Sequence, residues 1–463
     1  MKIIIYVWIL TFTLCISTES SALETSVTGD FNGDSETDIV IGNFKAKVNG
    51  KESGAVQIQY GDDRGIAFGR VQNLNQESPG IPGAAAGTNQ FGFAVAKGDF
   101  DNDGFDDLVI GAPGNDVLPN GSTVNDAGNI TAVYGSFNGL QTNQRVQLLT
   151  QNSPGIMGAA EKNDNFGEVL ATGDFNGDGF DDLAVSATGE SIESRSRIFV
   201  GAINIIPGSS TGLSSAGGQI WTLEDLGYES ENHDKFGIVT ATGDFNNDGF
   251  DDLAIGAPFK DVGSKKDSGV LYIVYGSSNG LHPIRARSIQ RWMSGSNNFP
   301  VEARKDLNLA RSLAVGNFNG DDFDDLAIGI TGDNRIVVLK GGSGGLVITG
   351  RQILTPNSSG MPGKSGIGKD FAWNLTARDI NSDGFDDLFV AATGAPIDGS
   401  TMISLTGSEN GLNTVRARYW SFRSLMQAYP QQNIKLVNRF DHRLKMNKKN
   451  RVLRMKKSGK GDK

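Results

Sequence analysis

An acidic segment of one design recurs six times along the chain, and few folds can accommodate it. In its clearest form it reads GDFNGDGFDDLAV, from Gly173 to Val185. The recurrences begin at Asp30, Asp99, Asp174, Asp244, Asn317 and Asp379, at intervals of 69, 75, 70, 73 and 62 residues. A second motif keeps step with the first: YGDDRGI at Tyr60, YGSFNGL at Tyr134, PGSSTGL at Pro207, YGSSNGL at Tyr275, KGGSGGL at Lys340 and TGSENGL at Thr406. A third, SPGIPG, SPGIMG or SSGMPG, precedes some of the units. For 463 residues the ordinary expectation is about three domains, but internal repeats override that estimate. The chain consists of six units of one kind.

Each unit reads as strands. In DLAIGAP, Leu253, Ile255 and Ala257 alternate on one face, the period of a β-strand. GVLYIVYG is a second strand ended by a Gly-Ser-Ser-Asn-Gly turn. GIVTATGDF runs into the acidic loop, and ARSIQRW follows the Asn-Gly-Leu. Four short strands without helical periodicity describe one propeller blade. One four-stranded sheet cannot bury both faces, so neighbouring blades must pack in a ring. The fold class expected is all-β: a β-propeller of six recognisable blades with four antiparallel strands each, over residues 23–425. NIKLVNRF, further along, leaves a seventh open.

Counted from Asp174, the acidic loop places Asp174, Asn176, Asp178 and Asp182 at positions 1, 3, 5 and 9, with Gly179 at position 6. Calcium takes six to eight oxygen ligands, and a tight loop of alternating acids supplies them, aided by a backbone carbonyl at position 7, here Phe180. The equivalent candidates are Asp99, Asp101, Asp103, Phe105 and Asp107, the most charged set. Asp244, Asn246, Asp248, Phe250 and Asp252 complete the pattern, as do Asp379, Asn381, Asp383, Phe385 and Asp387. The first loop, Asp30, Asn32, Asp34, Glu36 and Asp38, has Ser35 where glycine is preferred. The fifth, Asn317, Asn319, Asp321, Phe323 and Asp325, starts on an amide and has Asp322 at position 6, so the weakest binding is expected there. An EF-hand would need Glu at position 12. That position is Ile41, Ile110, Val185, Ile255, Ile328 or Val390, which suits a buried strand and excludes the EF-hand. The acid at position 8 (Asp106, Asp181, Asp251, Asp324, Asp386) reads as a surface residue. Structural Ca²⁺ ions are the expected cofactor, with Kd on the order of 10⁻⁴–10⁻³ M.

These motifs resemble the FG-GAP repeat family, which builds the β-propeller head of integrin α subunits and recurs in glycosylphosphatidylinositol-specific phospholipase D. Phe-Gly stands at Phe91-Gly92, Phe166-Gly167 and Phe236-Gly237, decays to Phe371-Ala372 and is not recognisable in the fifth unit. Gly-Ala-Pro is intact at Gly111-Ala112-Pro113 and Gly256-Ala257-Pro258. The resemblance implies adhesion or ligand recognition, with protein or glycan partners on a cell surface or in extracellular matrix. Ligand contacts would then lie on the face opposite the acidic loops, where the loops Gly114 to Ala127 and Phe259 to Ser268 are candidates. The alternative it implies is a secreted hydrolase-associated or carbohydrate-binding protein related to the phospholipase propeller. No catalytic motif accompanies the repeats: the histidines are His233, His282 and His442, at unmatched positions, and there is no Gly-x-Ser-x-Gly or His-Glu-x-x-His. The reading is therefore not an enzyme.

The ends differ from the body. Met1-Lys2, the apolar run Ile3 to Ile16 and Ser20-Ser21-Ala22 read as an export signal over residues 1–22, which implies a secreted or extracellular protein. The only cysteine, Cys15, lies inside it, so metal would replace disulfides as the stabilising device. No other segment could cross a bilayer. From Gln431 onward 12 Lys/Arg face two Asp, so the net charge of −11 leaves −21 on the rest. Such an acidic body argues against nucleic acid as partner; the basic tail, residues 426–463, could contact anionic surfaces. Asn-x-Ser/Thr triplets at Asn120, Asn129, Asn357 and Asn374 offer glycosylation sites.

Overall fold

A strand that runs into a tight loop and returns pairs with itself, and the repeat makes this happen six times. The structure, a computed structural model, describes residues 25–63, 70–192, 197–282, 289–296, 299–361, 371–393 and 400–421. The segment read as an export signal, the basic tail, loop 394–399 and the NIKLVNRF segment lie outside them.

Six four-stranded antiparallel sheets follow one another as blades. Blade 1 comprises Ser26–Gly29, Asp38–Asn43, Ala55–Gln59 and Val71–Leu74, with a small hairpin, Lys47–Val48 and Lys51–Glu52, between its second and third strands. Blade 2 comprises Val95–Gly98, Asp107–Ala112, Asn129–Val133 and Val146–Leu149, and blade 3 Phe166–Gly173, Asp182–Ala187, Ala202–Ile206 and Gln219–Trp221. Blade 4 comprises Val239–Gly243, Asp252–Ala257, Val270–Val274 and Ile289–Met293, and blade 5 Leu309–Gly316, Asp325–Ile330, Arg335–Lys340 and Val347–Leu354. Blade 6 comprises Phe371–Arg378, Asp387–Thr393, Ser400–Thr406 and Asn413–Ser421. First strands of successive blades neighbour one another, and the Arg378 guanidinium of blade 6 donates to Thr28 Oγ1 of blade 1 at 3.2 Å. The ring of described blades thus meets itself at six.

The alternation seen in DLAIGAP sorts side chains between two cores rather than between core and water. Leu253, Ile255 and Ala257 pack with Ile203, Ile205 and Trp221 of blade 3. Ala254, from the other face, packs with Leu326, Ile328 and Leu339 of blade 5. Every residue of that strand is buried, as a strand sandwiched between blades must be.

The Phe-Gly and Gly-Ala-Pro motifs are interlocks between blades. Gly54, Gly128, Gly201 and Gly269 each precede a third strand in the left-handed region. A Cβ there would strike the backbone of Phe91, Phe166, Phe236 or Leu309 in the next blade. Leu309-Ala310 therefore fills the Phe-Gly place in the fifth unit. Ala310 (φ 61°) and Ala372 (φ 66°) adopt the backbone turn that Gly92, Gly167 and Gly237 adopt elsewhere, at the cost an L-residue bears there. The glycine of Gly-Ala-Pro is equally constrained: a Cβ on Gly111 would overlap the carbonyl oxygen of Gly167. Gly111→Ala is expected to destabilise the fold by about 1–3 kcal/mol, measured as a shift of the urea midpoint at unchanged slope.

One glycosylation triplet is corrected by the fold. Asn129 opens the third strand of blade 2 and is 2% exposed, so no glycan can be carried there. Among the described residues no helix is long and apolar enough to cross a membrane.

Candidate metal centres

Each acidic loop is the connection between the first and second strands of a blade. The hairpin pairs Gly98 with Asp107, Gly173 with Asp182, Gly243 with Asp252 and Arg378 with Asp387, so position 9 is the first residue after the turn. At position 2 the side chains of Phe31, Phe100, Phe175, Phe245 and Phe318 are fully buried and anchor the loop from below.

Within the loop the carboxylates collect backbone amides. Asp174 Oδ1 accepts from the N–H of Gly177 (2.7 Å) and Asp178 (3.2 Å), and Oδ2 from that of Gly179 (2.9 Å). Asn176 Oδ1 accepts from Asp178 N–H at 2.8 Å, and Asp178 Oδ1 from Phe180 N–H at 3.1 Å. The same ladder forms on Asp99, Asp244 and Asp379. Position 6 is left-handed in all four, at Gly104, Gly179, Gly249 and Gly384. In the first loop Ser35 takes that conformation (φ 66°) and still donates to Asp30 Oδ2 at 2.8 Å. In the fifth, Asn317 turns its amide N–H₂ onto the Asp321 carbonyl, which places a donor where the other loops have an acceptor.

Position 9 is buried in every loop. The carboxylates of Asp38, Asp107, Asp182, Asp252, Asp325 and Asp387 are at most 3% exposed. Asp252 accepts from Phe245 N–H (3.0 Å) and from Gly276 N–H (2.8 Å), tying the acidic loop to the turn of the second motif. Gly61, Gly135, Gly208, Gly341 and Gly407 donate to the other five in the same way. Burial pushes these carboxyls up, to about 8 at Asp107 and Asp252, about 7 at Asp182 and Asp325, and about 6 at Asp38 and Asp387, against the pull of the backbone bonds. The acids at positions 1 and 5 push the same way. A site that raises the cost of its own negative charge is one that a cation would relieve.

The residues fit such a cation best in the second loop. Carboxylate oxygens of Asp99, Asp101 and Asp107 lie within 4.8 Å of one another. Asp101 Oδ1 is buried and has no hydrogen-bond partner, an oxygen left for a ligand. Its Oδ2 pairs with Arg145, a residue that sequence spacing did not single out, whose guanidinium also stacks on Tyr134 at 3.6 Å. In the other loops position 3 is an amide, and Asn176, Asn319 and Asn381 turn their N–H₂ toward position 9 at 3.2–3.5 Å.

The position 8 acids are not surface residues. Asp106 Oδ2 accepts from Asp30 N–H of the preceding blade at 2.7 Å, and Asp106 N–H donates back to Asp30 C=O at 3.1 Å. Asp181, Asp251, Asp324 and Asp386 repeat this two-point clasp on Asp99, Asp174, Asp244 and Asn317. Glycine precedes position 1 in those loops because its hydrogen makes room for the visiting carboxylate: a Cβ on Gly173 would come 2.7 Å from Asp251 Oδ2. The seam between blades 6 and 1 differs on both sides at once. Position 8 of blade 1 is Thr37, and the glycine of blade 6 is replaced by Arg378, which reaches Thr28 instead. A single sequence without structure hides this, since the two halves of each clasp lie 69–82 residues apart.

Comparison with known proteins agrees with this architecture. The FG-GAP repeat model matches residues 91–133, 166–200, 236–274 and 371–410, which begin at the Phe-Gly of blades 2, 3 and 4 and at Phe371-Ala372 of blade 6. Phosphatidylinositol-glycan-specific phospholipase D of Bos taurus is 34% identical over 191 residues, 41% of this chain and 21% of that protein. Integrin alpha-PS2 of Drosophila melanogaster is 30% identical over 261 residues, 54% of this chain and 16% of that protein. Integrin alpha pat-2 of Caenorhabditis elegans is 26% identical over 302 residues, 59% and 22%. The match thus spans about a fifth of the length of each of these relatives. A crystal structure of the rhamnogalacturonan lyase YesW aligns over 69% of this chain and 65% of its own at 14% identity, with a TM-score of 0.32, too distant to carry an argument. The chain therefore carries FG-GAP repeats at four of its six blades and is similar over about half its length to integrin α chains.

Proposed function

We propose that the chain is a secreted or cell-surface recognition module whose propeller is held by calcium ions in its acidic loops and presents the opposite face to a protein or glycan ligand. The convergence of Asp99, Asp101 and Asp107 around an unpartnered buried oxygen is the observation that supports the metal. Asp30, Asp174, Asp244 and Asp379 with their position 3, 5 and 9 partners would hold further ions, and the Asn317 loop the weakest. Calcium would supply positive charge that the buried position 9 carboxylates otherwise lack. These acids are then scaffold and do not touch the partner. The relationship to integrin α chains supports recognition of a protein ligand, and the relationship to the phospholipase supports a hydrolase-associated or carbohydrate-binding role as the second reading.

The test is binding of the full chain, fluorescently labelled, to cells of its source, with calcium or with chelator, before and after enzymatic deglycosylation and surface proteolysis. Calcium-dependent binding that protease abolishes and deglycosylation spares is the expected result. Binding that survives protease and is lost on deglycosylation would establish the second reading, and equal binding in chelator would overturn the calcium requirement.

A further inference from the structure

On the face opposite the acidic loops, the connection leaving one blade meets the next blade at a small polar niche, and its filling changes around the ring. Between blades 1 and 2 the niche is made of amides. Asn89 Nδ2 donates to Gln76 Oε1 at 2.7 Å and Gln76 Nε2 donates to Asn115 Oδ1 at 3.1 Å, so a neutral network is closed. Between blades 3 and 4 the place of Asn89 is taken by Asp234 and that of Asn115 by Lys260. The ammonium lies 3.1 Å from Asp234 and 2.8 Å from Glu231, so the buried carboxylate carries its own countercharge.

Between blades 2 and 3 the same niche holds Gln151, Asp164 and Glu190, with Glu161 beside them. The acids are present and the lysine is not. Among the described residues Asp164 and Glu190 form no ion pair. Carboxylate oxygens of Glu161, Asp164 and Glu190 lie within 4.8 Å of one another. Asp164 is 1% exposed; its Oδ2 accepts from Glu161 N–H, but its Oδ1 is buried without a partner. Gln151, also 1% exposed, donates from Nε2 to Glu190 Oε2 at 2.7 Å, which turns its amide into the cluster and leaves Oε1 buried and unpartnered. Two buried, unused oxygens from two side chains beside three converging carboxylates are what a missing cation leaves behind.

We propose that the blade 2–3 junction binds a hard divalent cation, calcium by its all-oxygen donor set, between Asp164, Glu190, Glu161 and the Gln151 carbonyl. It takes the role that Lys260 fills one blade further on. Oxygen donors without His or Cys disfavour zinc and copper, and irregular loop donors suit calcium better than the strict octahedron of magnesium. The site stands apart from the acidic loops, on the face where a ligand would dock, and its occupancy does not depend on theirs.

The full chain and two variants decide it. The double substitution Asp164→Asn with Glu190→Gln recreates the amide filling of the blade 1–2 niche, and Glu190→Lys imitates blades 3–4, so the fold itself supplies both precedents. By equilibrium dialysis against radioactive calcium at saturation, each variant is expected to bind one ion fewer than the parent. In chelator the double variant is expected to melt above the parent, and in calcium that advantage is expected to vanish. Equal ion counts for parent and both variants, or the same gain in melting temperature in calcium as in chelator, would overturn the site. Because the result is a difference from the parent, it stands whether or not the acidic loops bind calcium.

Discussion

Chelation of divalent cations is expected to lower the thermal midpoint of the propeller by about 8–10 °C. At roughly 1 mM calcium and a Kd near 10⁻⁴ M, each occupied loop contributes about 1.4 kcal/mol by linkage. Five or six loops then sum to about 7–8 kcal/mol, comparable with the whole stability of a domain. Unfolding entropy scales with chain length, so for a propeller of this size about 0.8 kcal/mol moves the midpoint by one degree. The effect should be graded by calcium concentration and reversed by excess calcium. Scanning calorimetry at several calcium concentrations measures it, and a midpoint that does not move with calcium would defeat the structural role of the ions.

Replacing Asp252 by alanine is expected to cost about 3–5 kcal/mol, with or without calcium. Its carboxylate is fully buried and accepts from the N–H groups of Phe245 and Gly276. Truncation leaves both donors without a partner in a dry interior, at about 1–3 kcal/mol each. Asp252→Asn keeps an acceptor for one donor and is expected to lose about half as much. Urea unfolding in chelator isolates this effect from metal binding. A loss for Asp252→Ala that disappears once calcium is removed would show that the residue acts only as a ligand.

Several features of this fold are local and can therefore be read along the chain. Six acidic loops, their glycines and the β-branched residue at position 12 are set within a dozen residues of one another, and each reports directly on a turn feeding a strand. The alternation of Leu253, Ile255 and Ala257 is equally local, and it correctly indicates a strand. Its use is not local: the second face of that strand is buried too, because another blade stands behind it. The fifth unit illustrates the same limit. Leu309-Ala310 looks unlike Phe-Gly, yet the backbone at Ala310 makes the same left-handed turn, since conformation and close approach, more than the letters, define the interlock.

By itself, the amino-acid sequence determined the all-β class, the number of recognisable units, the position of each loop and the residues that could face a cation, because all of these depend on neighbours a few residues apart. Only the tertiary structure decided what the position 8 acids do, how blade 6 meets blade 1 through Arg378 and Thr28, and that Asp164 and Glu190 converge beside Gln151 with no ion pair of their own among the described residues. Those contacts join residues from different blades, and the packing of one sheet on the next brings them within bonding distance.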